Sequence, residues 1–523
     1  MANKKLFRSV LGKLAPAATA VNEAGGLAYA LAPQAALAQY AATGCLNGTF
    51  YATADEQLST VLALAAQVEP EFVARAAVYC RERGFMKDVP ALLAATLATR
   101  DGALLERVFD RVIDDGRMLR NFVQILRSGQ TGRKSLGTRP KRLVQRWLAQ
   151  RSDEALFRAA VGNDPSLSDV IKMVHPRPTS DARRALYAYL IGKPHDAAAL
   201  PALVREFERY KADRQGAPPA VPFQLLTALD LGQAEWTTIA RHATWQQTRQ
   251  SIATFACHGV FDVPGAAELV AERLRDPAAI RRARVFPYQL MMAHAQAGAA
   301  VPAVVREALE AAMEVAIENV PTIEGQVYVC LDVSGSMESP VTGYRRGATS
   351  AVRCRDVGAL IASALLRRNP TAQVLPFNDR LHDVTLDPRD GVLANTRRLA
   401  GLPNGGTNCS LPLARLNAER RRADLVVFVS DFESWIDSLG RARTPWARPT
   451  ETMREWEALR ARCPRAKLAC IDLTPYGTVQ APERADVLNI GGFSDAVFDV
   501  LAAFAQGGLT ADHWVGVIEQ VAL

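Results

Sequence analysis

Hydrophobic and polar positions follow two different periods along this chain. From about residue 54 to residue 320, apolar residues recur every three to four positions in short stretches, which is the spacing of amphipathic helices. Gly, Pro or charged residues separate these stretches. The clearest predicted helices are 55–67, 71–82, 90–99, 103–112, 140–150, 181–191, 198–210, 236–254 and 301–318. Paired short helices without strand-like alternation predict an α-solenoid of stacked hairpins, although no strict repeat period is found.

The pattern changes after a linker at residues 321–325. Short apolar runs now alternate with helical stretches, which is typical of a doubly wound parallel sheet. The predicted strands are 327–331, 372–376, 423–430, 467–473 and 487–490, and the predicted helices are 356–367, 451–462 and 494–504. We therefore expect an all-α helical-repeat domain over 1–320 and an α/β domain over 321–523.

Composition fits a multidomain globular protein. The chain has 523 residues, of which 49% are hydrophobic and 22% charged. Apolar runs fall short of the ~20 residues that span a bilayer, and no signal-peptide core follows the basic N-terminus. We expect a cytoplasmic monomer with no membrane partner. The eight cysteines form no Cys-x-x-Cys pair and have no zinc-ligand spacing with histidines, so we expect reduced thiols and no zinc site.

Candidate metal ligands follow the first predicted strand of the α/β domain. Asp332, Ser334 and Ser336 stand in a Gly-containing loop directly after the buried run 327–331. Hard oxygen donors at the carboxyl end of a parallel strand suit Mg²⁺ or another divalent cation. The spacing resembles the metal-ion-dependent adhesion site of a von Willebrand factor A domain. That resemblance implies two further ligands, and Thr407 in a Gly-rich loop and Asp431 after the strand 423–430 have the right order. A Ser-rich turn is the alternative interpretation of the first loop alone.

The positive charge of the chain is concentrated in its first part. Residues 1–320 contain 39 Lys and Arg against 31 Asp and Glu, whereas residues 321–523 contain 23 of each. Residues 116–152 hold ten cations and no acid, and they include a Gly-bearing loop at 128–138. Such a loop can bring backbone N–H groups and guanidinium groups to phosphates. A solvated helix face is the alternative, but a long run without acids favours RNA or DNA.

The next predicted helix adds two candidate contacts. It begins at Ser166 or Ser168, stops before Pro176, and carries Lys172 and His175 towards its end. A histidine at a helix end is often a simple C-terminal cation, but the basic run nearby favours an RNA contact. The complete set of predicted RNA-binding residues is Arg133, Lys134, Arg139, Lys141, Arg142, Arg146, Lys172 and His175.

Several motifs together resemble the TROVE-domain family of Ro autoantigen-related proteins. They are the motifs at residues 22–26, 48–51, 132–134, 168–176 and 282–287, followed by the von Willebrand A pattern. The resemblance implies a HEAT-like helical ring closed by the A domain. It also implies binding of small noncoding Y RNAs on a basic outer surface and of single-stranded 3′ ends of misfolded RNAs in a central hole. Some bacterial members are tethered by Y RNA to a 3′→5′ exoribonuclease, polynucleotide phosphorylase, so that enzyme joins the expected partners.

Two positions depart from the family pattern, and they bear on metal affinity. Asn408 follows Thr407 where relatives often have Asp, and Phe432 follows Asp431 where relatives often have Asn. A different class of function also stays open, namely a protein–protein adaptor that binds carboxylates through its metal and has no RNA role. No Walker, Gly-x-Ser-x-Gly or zinc motif indicates an enzyme.

Overall fold

The computed structural model describes residues 15–43, 46–214, 216, 218–283, 285, 287–344, 352–435, 448–509 and 513–523. These residues form two compact units. The helical unit comprises Glu69–Ala316 together with Val521–Leu523. The sheet unit comprises the residues up to Val68 together with Ile317–Gln520.

The N-terminal segment contains two short strands and two helices. In chain order they are β1 (Ala20–Val21), β2 (Leu27–Ala30), α1 (Pro33–Thr43) and α2 (Ala54–Gln67). The sequence analysis grouped these residues with the helical repeats, whereas the structure packs them in the sheet unit. The reason is a set of long-range contacts, because β2 pairs with the strand at Thr478–Val479 and Tyr29 enters the core of that unit.

The helical unit consists of α-helices and a short 3₁₀ turn, and a second 3₁₀ turn follows its last helix in the chain. The helices are α3 (Pro70–Glu82), α4 (Asp88–Arg100), α5 (Gly102–Val112), α6 (Gly116–Ser128), α7 (Thr138–Gln150), α8 (Asp153–Ala159), α9 (Leu167–Val174), α10 (Asp181–Leu190), α11 (Ala202–Asp213), α12 (Phe223–Thr227), α13 (Gln233–His242), α14 (Trp245–Cys257), α15 (Ala266–Arg275), α16 (Pro277–Ala283), α17 (Pro287–Gln296) and α18 (Ala303–Ala316). The 3₁₀ turns are Val260–Asp262 and Ile317–Asn319. Each helix packs mainly against helices a few positions away in the chain, which is the contact pattern of a solenoid.

One predicted helix is wrong as a single element. The stretch 236–254 divides into α13 and α14, because Thr244 starts a new helix. The Thr244 hydroxyl accepts a hydrogen bond from the backbone N–H of Gln247, and the Gln247 side chain accepts one from the backbone N–H of Thr244. This reciprocal cap is a strong helix start. The remaining predicted helices of the unit lie within a few residues of the observed ones.

The sheet unit continues with alternating strands and helices. They are β3 (Val327–Asp332), α19 (Cys354–Arg368), β4 (Gln373–Phe377), α20 (Val392–Ala400), α21 (Leu411–Ala418), β5 (Leu425–Ser430), α22 (Glu451–Arg462), β6 (Lys467–Asp472), β7 (Thr478–Val479), β8 (Val487–Gly491), α23 (Asp495–Ala505) and α24 (His513–Glu519), with a 3₁₀ turn at Ser336–Glu338. The main sheet has five parallel strands in the order β4-β3-β5-β6-β8. The predicted α/β doubly wound domain is confirmed.

Helices cover both faces of the parallel sheet. On one face, Tyr328 and Cys330 of β3 share a core cluster with Leu413 of α21 and Trp456 of α22. On the other face, a Cβ added at Gly358 of α19 would lie 2.8 Å from a methyl of Leu331. The strand order reverses direction at β3, since the chain passes first to β4 and then to β5 on the opposite side. Such a switch point is where open α/β sheets bind ligands, beyond the carboxyl ends of the strands.

Two further expectations concern cysteines and membranes. The seven described cysteines are free thiols, and five of them are buried: Cys80, Cys330, Cys354, Cys409 and Cys470. Across the described residues, no helix combines the length and the apolar character needed to cross a bilayer.

Candidate metal centre and nucleic-acid interface

The first metal loop begins where β3 ends. Asp332 is fully buried, and its Oδ1 accepts a hydrogen bond of 2.8 Å from the backbone N–H of Ser334. Its Oδ2 accepts a hydrogen bond of 2.5 Å from the hydroxyl of Ser430, the last residue of the neighbouring strand β5. The hydroxyls of Ser334 and Ser336 are 3.2 Å apart. The parallel pairing of β3 and β5 therefore holds this carboxylate and its two hydroxyl neighbours at one edge of the sheet.

The second loop approaches the first through its backbone. Gly335 donates a hydrogen bond of 2.9 Å to the carbonyl of Gly405, and the buried Thr407 follows two residues later. Asn408, the next residue, uses its side-chain oxygen to accept hydrogen bonds from the backbone N–H and the hydroxyl of Ser410. These bonds fix the turn that leads from Thr407 into α21.

The third loop follows β5. Asp431 is buried directly after this strand, and its charge contributes, after burial, to the raised pKa of Asp332, so the two carboxyls lie near each other. Phe432 has a φ of 58°, a left-handed conformation that side chains seldom adopt. The backbone N–H of Trp435 donates a hydrogen bond of 3.2 Å to the Thr407 carbonyl, which joins the third loop to the second. Hydrogen bonds therefore join Asp332, Ser334 and Ser336 within the first loop, and backbone hydrogen bonds tie the second loop, which carries Thr407, to the first and third loops.

The electrostatics of this cluster favour a bound cation. Burial, and secondarily the charge of Asp431, raises the pKa of Asp332 to about 7, and burial also raises the pKa of Asp431. In the described part of the chain, neither carboxylate forms an ion pair with Lys or Arg. Two buried carboxylates without a counter-charge are unfavourable in their ionised form. The donor set of two carboxylates and three hydroxyls fits Mg²⁺, which prefers hard oxygen ligands.

Sequence reasoning missed Glu433, a carboxyl that borders the metal centre. Its side chain is fully buried, and Oε2 accepts a hydrogen bond of 3.2 Å from the backbone N–H of Ala24. Burial, followed by the charge of Asp431, raises the pKa of Glu433 to about 9. The sequence feature that could have identified Glu433 is its position two residues after Asp431. The described residues contain no cluster of three or more His, Cys, Asp and Glu side chains with metal-binding geometry, so hydroxyls must complete any site here.

The helical unit contains a basic groove that we define by its lining residues. They are Arg127, Lys134, Ser135, Leu136, Gly137, Thr138, Lys141, Arg142, Gln145 and Met173. The groove includes three of the predicted RNA-binding residues, and Arg127 is a fourth cation, which the prediction placed in the basic run but not in the site. No acidic side chain lines the basic groove. A second hollow nearby differs, because its arginines are accompanied by Asp114, Asp115 and Asp164.

The end of α9 adjoins the basic groove. Met173 of this helix lines the groove, and Gln145 of α7 donates a hydrogen bond of 2.6 Å to the carbonyl of Val174. Lys172 and His175 flank these positions and are exposed. His175 ends α9 with a φ of 51°. The helix starts at Ser166, which shares a capping box with Asp169. The two sequence-predicted residues of this helix are therefore neighbours of the basic groove.

Three predicted RNA-binding residues do not line the basic groove and make intramolecular contacts. Arg133 is half-buried and donates a hydrogen bond of 2.9 Å to the carbonyl of Ala98. Arg146 forms ion pairs with Glu106 and Asp110, at 3.4 and 3.0 Å. Arg139 is exposed, and its guanidinium lies against the start of α5 rather than in the groove. The basic run itself contains no acid, and the two carboxylates that pair with Arg146 lie on α5, outside that run.

Comparison with known proteins supports the resemblance drawn from the motifs. Residues 326–505 match the family model described as the Ro60 vWA domain. The RNA-binding protein RO60 of Deinococcus radiodurans is 24% identical over 534 residues, which cover 93% of this chain and 95% of the relative. The RNA-binding protein RO60 of Caenorhabditis elegans is 25% identical over 251 residues, which cover 46% of this chain and 36% of the relative.

A solved structure shares the fold. The crystal structure of the Deinococcus radiodurans RO (RSR) protein matches 91% of this chain and 100% of its own chain, with a TM-score of 0.62 and 23% sequence identity. The predicted family resemblance and the predicted fold class, helical repeats followed by a von Willebrand A domain, are confirmed.

Proposed function

Since residues 326–505 belong to the Ro60 von Willebrand A domain family, we propose that this chain is an RNA-binding protein without catalytic activity of its own. Two relatives carry the name RNA-binding protein RO60, and one of them aligns with nearly the whole chain. The proposed ligands are a small structured Y-like RNA on the basic groove and the single-stranded 3′ ends of misfolded RNAs, bound elsewhere on the helical repeats.

The observation that carries the proposal is the composition of the basic groove. Lys134, Lys141, Arg142 and Arg127 line one concave surface that contains no carboxylate. Cations placed together without acids repel one another, and a phosphate backbone relieves this repulsion. The hydroxyls of Ser135 and Thr138 and the amide of Gln145 add uncharged contacts of the kind that position a phosphate backbone.

The packing of α9 joins the basic groove to the second group of predicted RNA-binding residues, Lys172 and His175. The helix α9 packs against both α6 and α7, which carry or flank the cations of the basic groove. Lys172 and His175 at the end of α9 therefore extend the surface beyond Met173. A structured RNA is larger than the groove itself, so it can contact both patches at once. Phosphate contacts of this type bind many sequences and recognise shape.

The test is RNA binding by the double variant Lys134→Ala/Arg142→Ala at several salt concentrations. We expect weaker binding to a structured small RNA, and a salt slope lower by roughly one unit for each phosphate contact that is lost. The control is Arg184→Ala/Arg209→Ala, which removes the same charge from two exposed arginines that do not line the groove. Equal affinity and equal slope for wild type and both variants would favour the adaptor function instead.

The proposal includes a metal and a protein partner. The proposed cation is Mg²⁺ or a similar divalent ion, which would supply the missing positive charge among the carboxylates. Its proposed ligands are Asp332, Ser334, Ser336, Thr407 and Asp431.

The proposed protein partner is a 3′→5′ exoribonuclease of the polynucleotide phosphorylase type, joined through the bound RNA. Co-purification of such an enzyme should then disappear after treatment with ribonuclease. Co-purification that survives this treatment would indicate a direct protein contact.

A further inference from the structure

The start of the first metal loop has a counterpart elsewhere in the sheet. The chain reads Cys-Leu-Asp-Val-Ser where β3 ends and Cys-Ile-Asp-Leu-Thr where β6 ends. The backbone N–H of Thr474 donates a hydrogen bond of 2.9 Å to Oδ1 of Asp472. The backbone N–H of Ser334 donates to Oδ1 of Asp332 in the same way, at 2.8 Å. The carboxyl at the end of β6 is therefore held by the same kind of turn as the carboxyl at the end of β3.

Strand register places Asp472 in one row with the first metal centre. Ser430 of β5 lies opposite Asp472 in the parallel sheet, and the Ser430 hydroxyl donates to Oδ2 of Asp332. On the other side of β6, Gly491 of β8 lies opposite Asp472. Residues opposite one another in parallel strands point to the same face, and adjacent strands are about 4.8 Å apart. Asp472 therefore marks a second position on the same edge, separated from Asp332 by one strand.

Four buried side chains near this position carry oxygens that have no hydrogen-bond partner in the described part of the chain. The oxygens are Oδ2 of Asp472, Oε1 of Glu433, Oε1 of Gln39 and Oε1 of Gln480, and the amide nitrogen of Gln39 also lacks a partner. Each of the four residues is at most 1% exposed. Burying polar atoms without partners is unfavourable, because they lose their hydrogen bonds to water. A cation is a ligand that can accept electron pairs from all four oxygens at once.

Backbone contacts bring these side chains to the end of β6. A Cβ added at Gly491 would lie 2.9 Å from the Cα and 3.1 Å from the Cβ of Gln39, so a glycine beside Asp472 lets α1 approach the row. The amide nitrogen of Gln480 donates a hydrogen bond of 3.2 Å to the carbonyl of the residue before Glu433. Burial, and then neighbouring charges that include Asp472, raise the pKa of Glu433, which supports the closeness of the two carboxyls.

We propose that these oxygens bind a second divalent cation, Ca²⁺, beside the ends of β5, β6 and β8. The proposed ligands are Asp472, Glu433, Gln39 and Gln480. Ca²⁺ accepts carboxylate, amide and carbonyl oxygens in flexible geometry, whereas Mg²⁺ usually keeps several waters, which a cluster so deeply buried does not favour. The site is separate from the first metal centre, and the inference does not depend on RNA binding.

The first test is calorimetric titration of the full chain with Ca²⁺ as the probe. We expect Asp472→Asn to bind one ion fewer than wild type. Asp332→Asn should still bind the ion at Asp472, and the exposed Asp383→Asn is the control that should bind as wild type does. An unchanged number of ions in Asp472→Asn overturns the inference. An unchanged number in Asp332→Asn, with one ion lost in Asp472→Asn, overturns only occupancy of the first site by Ca²⁺.

The second test does not require a change within the sheet. Gln39→Leu nearly keeps the side-chain volume on α1 and removes the amide, so the ion at Asp472 should bind at least about 10-fold more weakly, as for groups that support a metal ligand. Gln373→Leu, the same change at an exposed glutamine where β4 begins, is the control. Crystals grown with Ca²⁺ should show anomalous density beside Asp472. Wild-type affinity in Gln39→Leu together with ordered water alone at this position would overturn the inference.

Discussion

Asn22 donates a hydrogen bond of 2.9 Å from its side-chain amide to the backbone carbonyl of Ser434, across 412 residues of sequence. Its side-chain oxygen also accepts a hydrogen bond of 2.7 Å from the backbone N–H of Gly26. One buried side chain thus joins the start of the chain to the third metal loop. A Cβ at Gly26 would lie 2.0 Å from the same Ser434 carbonyl, so only glycine allows this approach.

Removing this link should destabilise the sheet unit. We expect Asn22→Ala to lower the free energy of unfolding by roughly 2–3 kcal/mol, because two buried hydrogen bonds are lost. Gly26→Ala should cost at least as much, because its methyl clashes with backbone. Gly298→Ala is the control, since nothing lies within 4 Å of its added Cβ. Chemical denaturation measures the unfolding free energy of all three variants. If Asn22→Ala were as stable as wild type, the link would not contribute to stability.

Protons and Mg²⁺ should compete for Asp332. Burial raises the pKa of this carboxyl to about 7 without metal, so the folded chain binds its proton more tightly than the unfolded chain does. Stability of the metal-free protein should therefore fall as pH rises from about 4 to about 7, and stabilisation by Mg²⁺ should grow over the same range. Melting temperatures in EDTA and in Mg²⁺ at several pH values measure both trends.

The control for this linkage is an aspartate on the surface. In Asp332→Asn, the melting temperature should no longer respond to Mg²⁺ and should depend less on pH. An amide neither titrates nor binds the cation strongly. Asp383→Asn should keep both, since the Asp383 side chain is 87% exposed and forms a surface ion pair with Arg415. Identical responses of Asp332→Asn and wild type would remove Asp332 from the proposed ligands.

Arg133 and Lys134 are adjacent in sequence but should behave differently. Arg133→Ala should lower the unfolding free energy by about 1–2 kcal/mol, because the carbonyl of Ala98 loses its hydrogen-bond partner. Lys134→Ala should leave stability nearly unchanged and weaken RNA binding, because this exposed side chain lines the basic groove. Denaturation curves and RNA titrations on the two single variants separate the roles. A large stability loss in Lys134→Ala would show that the lysine also serves the fold.

Single-stranded 3′ ends should improve RNA binding. If the helical repeats accept such ends through phosphate contacts, a duplex with a 3′ overhang should outcompete the same duplex with blunt ends. The base sequence of the overhang should matter little. Competition titrations with 3′-overhang, 5′-overhang and blunt duplexes measure this preference. Equal competition by the three would rule out recognition of 3′ ends and leave the proposed groove for structured RNA untouched.

Much of this protein could be predicted from local sequence. The helical periods, the buried strands and the reciprocal caps are properties of neighbouring residues, so the helices and the five parallel strands lie close to their predicted positions. The strand-end positions of Asp332 and Asp431 also follow from local pattern, whereas the family resemblance supplied the role of Asp431 as a ligand. Each stands directly at the end of a buried strand, and parallel strands bring such ends to one edge of the sheet.

Only the tertiary structure determines which of the predicted binding residues share a surface and which make contacts within the protein. Arg133 and Arg146 belong to the basic run, yet they bind a carbonyl and two carboxylates from other helices. Asn47 looks like an ordinary loop residue, yet its side-chain amide donates a hydrogen bond to the carbonyl of Thr342, almost 300 positions later in sequence. The physical reason is the same in each case. Side-chain partners far apart in sequence are selected by packing and desolvation, which no local pattern records.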